Sequence, residues 1–449
     1  MVGAYFYQNM PVESPQQRRL LGYAVIGFSL LITYALWLWV LMLNDSWYES
    51  GWIYLAKVGS HGAVILMSWA FLLATRFKLI EWLFGGLDKV YFAHRRVGVA
   101  AFTIIWLLPM GLALGMSDHW TEALIYLLLP DNIVRWTGSI AILAFVLLVI
   151  LSLATQVAYH HWKKTHDWFG AVYVLVIVHG ILSPGEIKTY PLLTWWHGIW
   201  AVLGLSAYVY IRFLYRRVGP LFDYKVSAVR EKGDGITEIE FVPQGRPMRA
   251  DPGQFIYLAF DEADAVSDEP HPFSLSSAPE NKTIRLSIKG LGDWTHDVSK
   301  VKVGERARIW GPYGHFSETL FQSPRRPAVF IAGGIGVTPF LSLMQSKALL
   351  EREGPVTMIY SVPKPDQAVY REDLEHYAGK RGDHRLVVHL SDEEGFIDRA
   401  YLENLLEHPL KEAVFMVCGP AAMMKAMENM LWEAGVDSEF IVMEDFSIR

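Results

Sequence analysis

Residues 94–110 read HRRVGVAAFTIIWLLPM. One imidazole and two guanidinium groups stand at the mouth of an apolar run that Leu108 and Pro109 close. With its flanks the run approaches the roughly 20 residues a helix needs to cross a bilayer. An ionisable ring at the start of such a run is costly unless it has a task. No second ring follows deeper in the same run.

Working outward, six apolar segments lie at 20–44, 52–75, 92–115, 134–158, 168–184 and 192–214. A single apolar run could be a core helix, but six in succession predict a membrane bundle. The fifth is short and can extend back through His166. The 449 residues are 52% hydrophobic and only 19% charged, with mean hydropathy +0.22, and that average hides two halves. Residues 1–215 are apolar and rich in tryptophan. Residues 220–449 have the composition of a soluble protein.

Net charge is −6 and no long basic run occurs, so nucleic-acid binding is not expected. The one cysteine, Cys418, excludes an internal disulfide framework and a cysteine-rich metal site. No cleavable leader is expected, because the first residues lack a basic region ahead of a short apolar core. No calcium-binding hand pattern occurs.

Lysine and arginine set the expected orientation. Arg18 and Arg19 precede span one. Arg76, Lys78, Lys89, Arg95 and Arg96 flank the connection of spans two and three. Lys163 and Lys164 precede span five, and Arg212, Arg216 and Arg217 follow span six. The opposite connections carry Asp45, Glu49, Asp118, Glu122, Asp131 and Glu186. A multi-pass protein of a cell membrane, such as a bacterial inner membrane, with both termini in the cytoplasm is expected.

Histidines stand out within the spans: His61 in two, His94 entering three, His166 and His179 in five, and His197 in six. A neutral imidazole is a ligand for haem iron, although a lone one is as readily a packing residue. His166 and His179 are separated by about 20 Å of helix but lie on different faces. His161 shares a face with His179 better, and spacing alone does not choose between His161 and His166. His94 and His166 both enter from the cytoplasmic side, at similar depth. That suits one inner haem, with Arg95 and Arg96 near its propionates or acting only as membrane anchors.

Between 225 and 315, KVSAVREK, TEIEFVPQ, QFIYLAF, TIRLSIKG and ERARIWG alternate with period two, which predicts a small antiparallel β-barrel. After about 325, AVFIAGG, VTMIYSV, RLVVHL and AVFMVCG alternate with helical stretches, which predicts a parallel α/β sheet with a crevice at its strand ends. GGIGVTPF at 333–340 follows a strand and opens a helix, and its small residues admit a pyrophosphate. It departs from the dinucleotide fingerprint at Pro339, and a tight turn explains its glycines equally. The expected layout is an N-terminal segment (1–19), an all-α six-helix transmembrane domain (20–217), the barrel (218–322) and the α/β domain (323–449).

HPFSLSSAP (271–279), GPYG (311–314), GGIGVTP (333–339) and CGP (418–420), in that order, resemble the ferredoxin-reductase-type module of the NADPH oxidase and ferric reductase superfamily. RFKLIEWLFGGLDKVYFAHRRVG and WKKTHDWFGAVYVLVIVHG resemble its transmembrane haem domain. The resemblance implies an NAD(P)H-dependent transmembrane oxidoreductase carrying FAD and one or two b haems. His271, Pro272, Phe273 and Ser274 would hold the flavin, with Ser276 and Ser277 at the end of that segment and Lys289 and Thr295 near the FAD pyrophosphate. Gly311 and Gly314 would lie near the nucleotides. Gly333, Gly334, Gly336, Thr338 and Pro339 would meet the NAD(P)H pyrophosphate, with Cys418, Gly419 and Pro420 beside the nicotinamide. Phe446 would stack on the flavin. Ser361, Lys364 and Arg371 lie where a 2′-phosphate is read and favour NADPH over NADH.

The family usually carries two histidines about fourteen residues apart in span three and another pair in span five. His94, His166 and His179 match three of those places, and Leu108 stands at the fourth. The outer haem is then absent, ligated by a substitute such as His61 or His197, or five-coordinate. The acceptor is oxygen, giving superoxide, a ferric chelate, a quinone or a periplasmic protein. A non-redox membrane sensor or transporter with a flavin domain is the competing reading.

Overall fold

A computed structural model of the chain describes residues 15–48, 50–116, 121, 125, 130–153, 159–261 and 265–444. Six helices are long and apolar enough to cross a membrane: Pro15–Asn44, Gly51–Leu73, Leu87–Gly115, Ile133–Leu153, His161–Leu182 and Pro191–Val218, here spans one to six. Span five does extend back through His166, with a one-residue break at Trp168.

Spans two and three pack closest. A Cβ on Gly59 would stand 2.8 Å from the Leu108 backbone nitrogen, and one on Gly111 would stand 2.5 Å from the Trp52 carbonyl oxygen. Glycine at both places lets the backbones approach. Span three is interrupted at Trp106, where one helix ends at Ile105 and the next starts at Leu107. Pro109 explains the break, since it has no N–H for the Ile105 carbonyl.

The first sheet has strands β1 (Leu221–Gly233), β2 (Ile236–Pro243), β3 (Phe255–Asp261), β4 (His271–Ser274), β5 (Ile284–Lys289) and β6 (Arg306–Tyr313), antiparallel in the order β4-β3-β6-β1-β2-β5. The expected barrel is not closed. β4 and β5 are the two edges, bridged only between Leu275 and Leu286. β4 has four residues and one of them is Pro272, which has no N–H for a ladder.

The second sheet is parallel, in the order β11-β10-β7-β8-β9. Its strands are β7 (Ala328–Gly333), β8 (Val356–Val362), β9 (His384–Leu390), β10 (Val414–Cys418) and β11 (Ile441–Met443). β7 and β10 are apolar throughout, β8 is apolar but for Thr357 and Ser361, and all three lie almost wholly inside the domain, as strands covered by helices on both faces do.

The antiparallel sheet shares its core with the bundle. Alternation along β3 turns Ile256, Leu258 and Phe260 into the sheet's own core, while Phe255, Tyr257 and Ala259 join one cluster with Trp310, Tyr313 and residues of spans two to six. Arg76 ends span two in the left-handed conformation (φ 57°) and turns the chain into the short helix Lys78–Phe84. Its guanidinium lies 3.8 Å from the Tyr257 ring centre and 5.1 Å from that of Tyr215. Its Nε donates to the Tyr91 hydroxyl at 3.0 Å, and that hydroxyl lies 2.9 Å from the Tyr257 hydroxyl. Cation–π contacts of this kind strengthen when water is excluded.

The helix Lys78–Phe84 then clasps the 311–314 turn. Glu81, fully buried, accepts the Gly314 N–H at 2.6 Å and pairs with Lys78 at 2.8 Å, and Lys78 also donates to the Pro312 carbonyl. Arg18 of span one reaches Glu318 at 2.5 Å, and Lys89 reaches the Met443 carbonyl at 3.1 Å. Glu444 is 3% exposed beside them, and its Oε2 has no hydrogen-bond partner among the described residues. Burial pushes its carboxyl well above the ordinary range, with Asp88 adding to the rise and Lys89 opposing it.

Two expectations follow from this junction. Glu81→Ala strands the Gly314 N–H and removes one partner of Lys78, at a cost of about 1–3 kcal/mol. Hydrogen exchange across residues 311–316 should quicken in that variant, and unchanged protection would contradict the clasp. Glu444 holds its proton more tightly folded than unfolded, so stability falls as pH rises above the ordinary carboxylate range toward its folded pKa. Thermal unfolding of Glu444→Gln across pH 5–8 should lose that decline. A parallel decline in variant and parent would remove Glu444 as its source.

Candidate functional site

The histidines divide into three groups. His94 and His166 face each other with ring centres 6.0 Å apart. His94 Nδ1 lies 2.8 Å from the Ala70 carbonyl, which only accepts, so Nδ1 carries the proton and Nε2 keeps a lone pair. The Ser152 hydroxyl donates to the Leu148 carbonyl at 2.7 Å and so accepts from His166 Nδ1 at 3.2 Å, which leaves His166 Nε2 bare as well. Trp162 stacks on His166 at 4.9 Å and 18°. A ligating histidine is held in this way, with one nitrogen bonded to the protein and the other free for the metal. One turn along from His94, a Cβ on Gly98 would meet nothing within 4 Å, so the helix face beside the ring is open. The pair fits a haem. His161 is exposed and has no part in it.

His179 turns toward span four. Its Nδ1 donates to the Val134 carbonyl at 3.0 Å, and a Cβ on Gly138 would stand 2.8 Å from the ring. No histidine faces it among the described residues.

His61 and His197 bind each other instead. His61 Nδ1 lies 3.0 Å from His197 Nε2, and His197 Nδ1 lies 3.0 Å from the Leu193 carbonyl. Both nitrogens of His197 are therefore spent, and it has no lone pair for iron. Trp37 of span one lies 5.4 Å from His61, so this pair sits between spans one, two and six, while His179 looks to span four. The expectation that either histidine replaces the missing ligand finds no support in this geometry.

Arg95 and Arg96 are exposed, and Arg96 reaches Tyr23 of span one at 3.3 Å. They do not flank the His94–His166 pair. Arg76 faces the junction, as do Lys78, Arg18 and Lys89, and sequence reading used these residues only for orientation.

On the antiparallel sheet, His271 and Phe273 of β4 lean on Trp294, at 4.5 Å and 5.6 Å. His271 Nε2 is buried without a partner among the described residues, and burial lowers its pKa, Glu269 opposing. An orphan polar atom on an open sheet edge suits a flavin contact. Ser274 ends β4, beside Pro272 on the same edge. Ser276 and Ser277 are turned inward: Ser276 donates to the Arg285 carbonyl at 3.0 Å, and Ser277 accepts the Arg285 N–H at 3.1 Å. Lys289 is paired with Asp234 at 2.6 Å. Thr295 caps the helix Asp293–Asp297 by accepting the Leu291 and Gly292 N–H groups. These four hold local structure, and a pyrophosphate would have to compete for Lys289.

On the parallel sheet two loops meet at the strand ends. A Cβ on Gly336 would stand 2.3 Å from the Cys418 carbonyl oxygen, and one on Gly419 would stand 3.0 Å from the Gly333 Cα. Only glycine permits that approach. Gly334 takes φ 53°, and Pro339 sits in the first turn of the helix Thr338–Gln345, where a missing N–H costs nothing. Thr338 donates to the Ile335 carbonyl at 3.2 Å. Pro420 follows, packed over Gly333. Cys418 ends β10, 5% exposed. Gly311 and Gly314 bound the turn that Glu81 clasps. Ser361 lies 3.1 Å from His389, Lys364 is exposed, and Arg371 is held by Glu375 at 2.7 Å. Phe446 lies outside the described residues.

Comparison with known proteins agrees. Residues 60–177 match the ferric reductase like transmembrane component, 221–338 an FAD-binding domain and 330–429 an oxidoreductase NAD-binding domain. The flavohemoproteins of Bacillus anthracis and Oceanobacillus iheyensis are 26% and 28% identical over 245 and 243 residues. Those alignments cover 49% and 50% of this chain, and it spans 59% and 58% of the two relatives' own lengths. Among solved structures, the flavohemoglobin of Malassezia yamatoensis aligns with 91% of this chain and 98% of its own at 20% identity and a TM-score of 0.49. The three matched segments, in this order on six apolar helices and two sheets, give the chain the NADPH oxidase/ferric reductase-type architecture: a multi-pass membrane oxidoreductase with FAD-binding and NAD(P)H-binding domains.

Proposed function

We propose that this protein passes electrons from cytoplasmic NAD(P)H through FAD and one b-type haem toward an acceptor on or near the outer face. The observation that carries this is the His94–His166 pair, two rings 6.0 Å apart with each Nδ1 spent on the protein and each Nε2 bare. FAD supplies the conversion from two-electron to one-electron transfer, and haem the one-electron carriage. The chain supplies placement. His94 and His166 would ligate the haem, and Ala70 and Ser152 fix their tautomers. Phe273 and His271 would face the flavin, with Phe446 as its stacking partner. Gly333, Gly334 and Gly336 admit the NAD(P)H pyrophosphate, and Cys418 to Pro420 bring the nicotinamide close. The basic residues at the end that carries both sheets support a cytoplasmic side for that end, as in a bacterial inner membrane.

Oxygen, giving superoxide, and a ferric chelate are the acceptors that suit this architecture in general. The geometry favours the single-haem alternative that feeds a quinone or a periplasmic protein. Leu108 stands at the expected fourth place, no histidine faces His179 among the described residues, and His197 has both nitrogens spent on His61 and Leu193. A non-redox sensor has no use for two facing imidazoles with bare nitrogens.

The purified protein should hold close to one haem per FAD by pyridine haemochrome and released flavin. His94→Ala and His166→Ala should lose it and His179→Ala should keep it. Two haems per FAD would contradict the single-haem reading, and no haem with ample supply would contradict the electron-transfer reading. Lys364 should read the 2′-phosphate by a charge-assisted bond of about 1.5–3 kcal/mol. Lys364→Ala should then raise the KM for NADPH tenfold or more and leave that for NADH unchanged, as steady-state reduction of an artificial acceptor would register. Equal effects on both would remove it from that role.

A further inference from the structure

His61 and His197 take no part in the mechanism above, yet they are 1% and 6% exposed in a membrane bundle. Their protonation follows from their partners. The Leu193 carbonyl takes the His197 Nδ1 proton, so neutral His197 can only accept at Nε2. His61 therefore donates from Nδ1, and its own Nε2 is a bare acceptor. That atom is buried and has no partner among the described residues. Facing it, Trp37 is 3% exposed, and its indole N–H is likewise buried without a partner. One open acceptor and one open donor thus lie on rings 5.4 Å apart. Each left open costs about 1–3 kcal/mol.

The depth is informative. His61 is ten residues inside the far end of span two, about 15 Å, which is the middle of a hydrocarbon core of about 30 Å. His94 is tied to the Ala70 carbonyl on that same span, nine residues, or about 14 Å of helix, from His61. Lys57, one turn further out on the His61 face, pairs with Glu186 at 2.6 Å. No group of three His, Cys, Asp or Glu side chains suited to a metal occurs among the described residues.

We propose that His61, with Trp37, binds the head group of a membrane-dissolved quinone, and that this quinone is the electron acceptor. The proposal rests on the function argued above and names its acceptor. An oxygen that is a carbonyl in the quinone and a hydroxyl in the quinol matches the two open atoms. It accepts from the Trp37 N–H in both forms and donates to His61 Nε2 once reduced. The quinone gains two electrons, delivered singly from NAD(P)H oxidation, and two protons. As the quinone is reduced, His61 Nε2 takes up a proton that enters from the outer face past Glu186 and Lys57 and passes it on: that N–H breaks as the quinone C=O becomes C–OH, which returns His61 to its neutral, accepting form. His197, fixed as an acceptor, holds the His61 ring throughout. The second proton enters from the same face to the other carbonyl.

The full-length protein in nanodiscs, its haem reduced anaerobically by NADPH or NADH, would be mixed with decylubiquinone in a stopped-flow instrument. Haem reoxidation should be slowed tenfold or more in His61→Leu and severalfold in Trp37→Phe, with ferricyanide reoxidation and haem content unchanged. The infrared C=O stretch of 13C-labelled quinone should shift in Trp37→Phe, which a merely structural tryptophan would not cause. If His61→Leu fails to hold haem, His61→Gln and Trp37→Phe carry the same test. Unchanged quinone reoxidation in variants that retain haem, or equal slowing with ferricyanide, would overturn the proposal. A haem that NAD(P)H does not reduce would instead defeat the function proposed above, and the photoreduced protein would then test the quinone site by the same reoxidation.

Discussion

The arrangement depends on one half-buried cation among phenols. Arg76 leaves span two in a left-handed turn and lays its guanidinium over Tyr257 of the antiparallel sheet while bonding to Tyr91 of span three. Tyr91 is three residues before His94, on the same side of one helix. A single side chain therefore ties the FAD-binding sheet to the helix that carries a proposed haem ligand. Around it the outward residues of β3 and β6 join the core of the bundle. An apolar face removed from water on both sides holds the two parts together without a long linker.

The clasp at Glu81 has a second consequence. It holds the Gly314 N–H, just past the end of β6 in the sheet that also carries β4. That sheet is thus set by contacts from the membrane bundle as well as by its own ladder. Glu444 occupies the same junction just before the C-terminal tail, where a Cβ on Gly314 would stand 2.4 Å from its Oε1.

Much of this was legible in the residues. Six apolar runs announced the spans because every backbone polar group in a bilayer must be satisfied within a helix. The switch from period two to apolar strands announced the change of sheet. The glycines at 333, 334 and 336 were legible as close approach to a pyrophosphate, although the approach of Gly336 to the Cys418 backbone was not. The open sheet was missed because alternation reports which face is buried and not whether the edges meet, and Pro272 was the available sign. Lys289, Ser276, Ser277 and Thr295 were read as cofactor contacts, and their local partners, Asp234, Arg285 and the backbone at 291–292, were not legible. Arg76 and Glu81 were invisible as a junction because their partners lie far away in sequence. A glutamate inside the apolar stretch KLIEWLF was the one hint. His61 and His197 looked like spare ligands because spacing cannot show that two rings 136 residues apart bind each other.

The central claim is that a single haem is held between His94 and His166, with no second iron at Leu108 and His179. Low-temperature electron paramagnetic resonance of the oxidised protein tests it most directly. One low-spin species of the two-imidazole type, absent from His94→Ala and retained in His179→Ala, is the expected spectrum. A second low-spin species, or a high-spin signal that His179→Ala removes, would contradict the account.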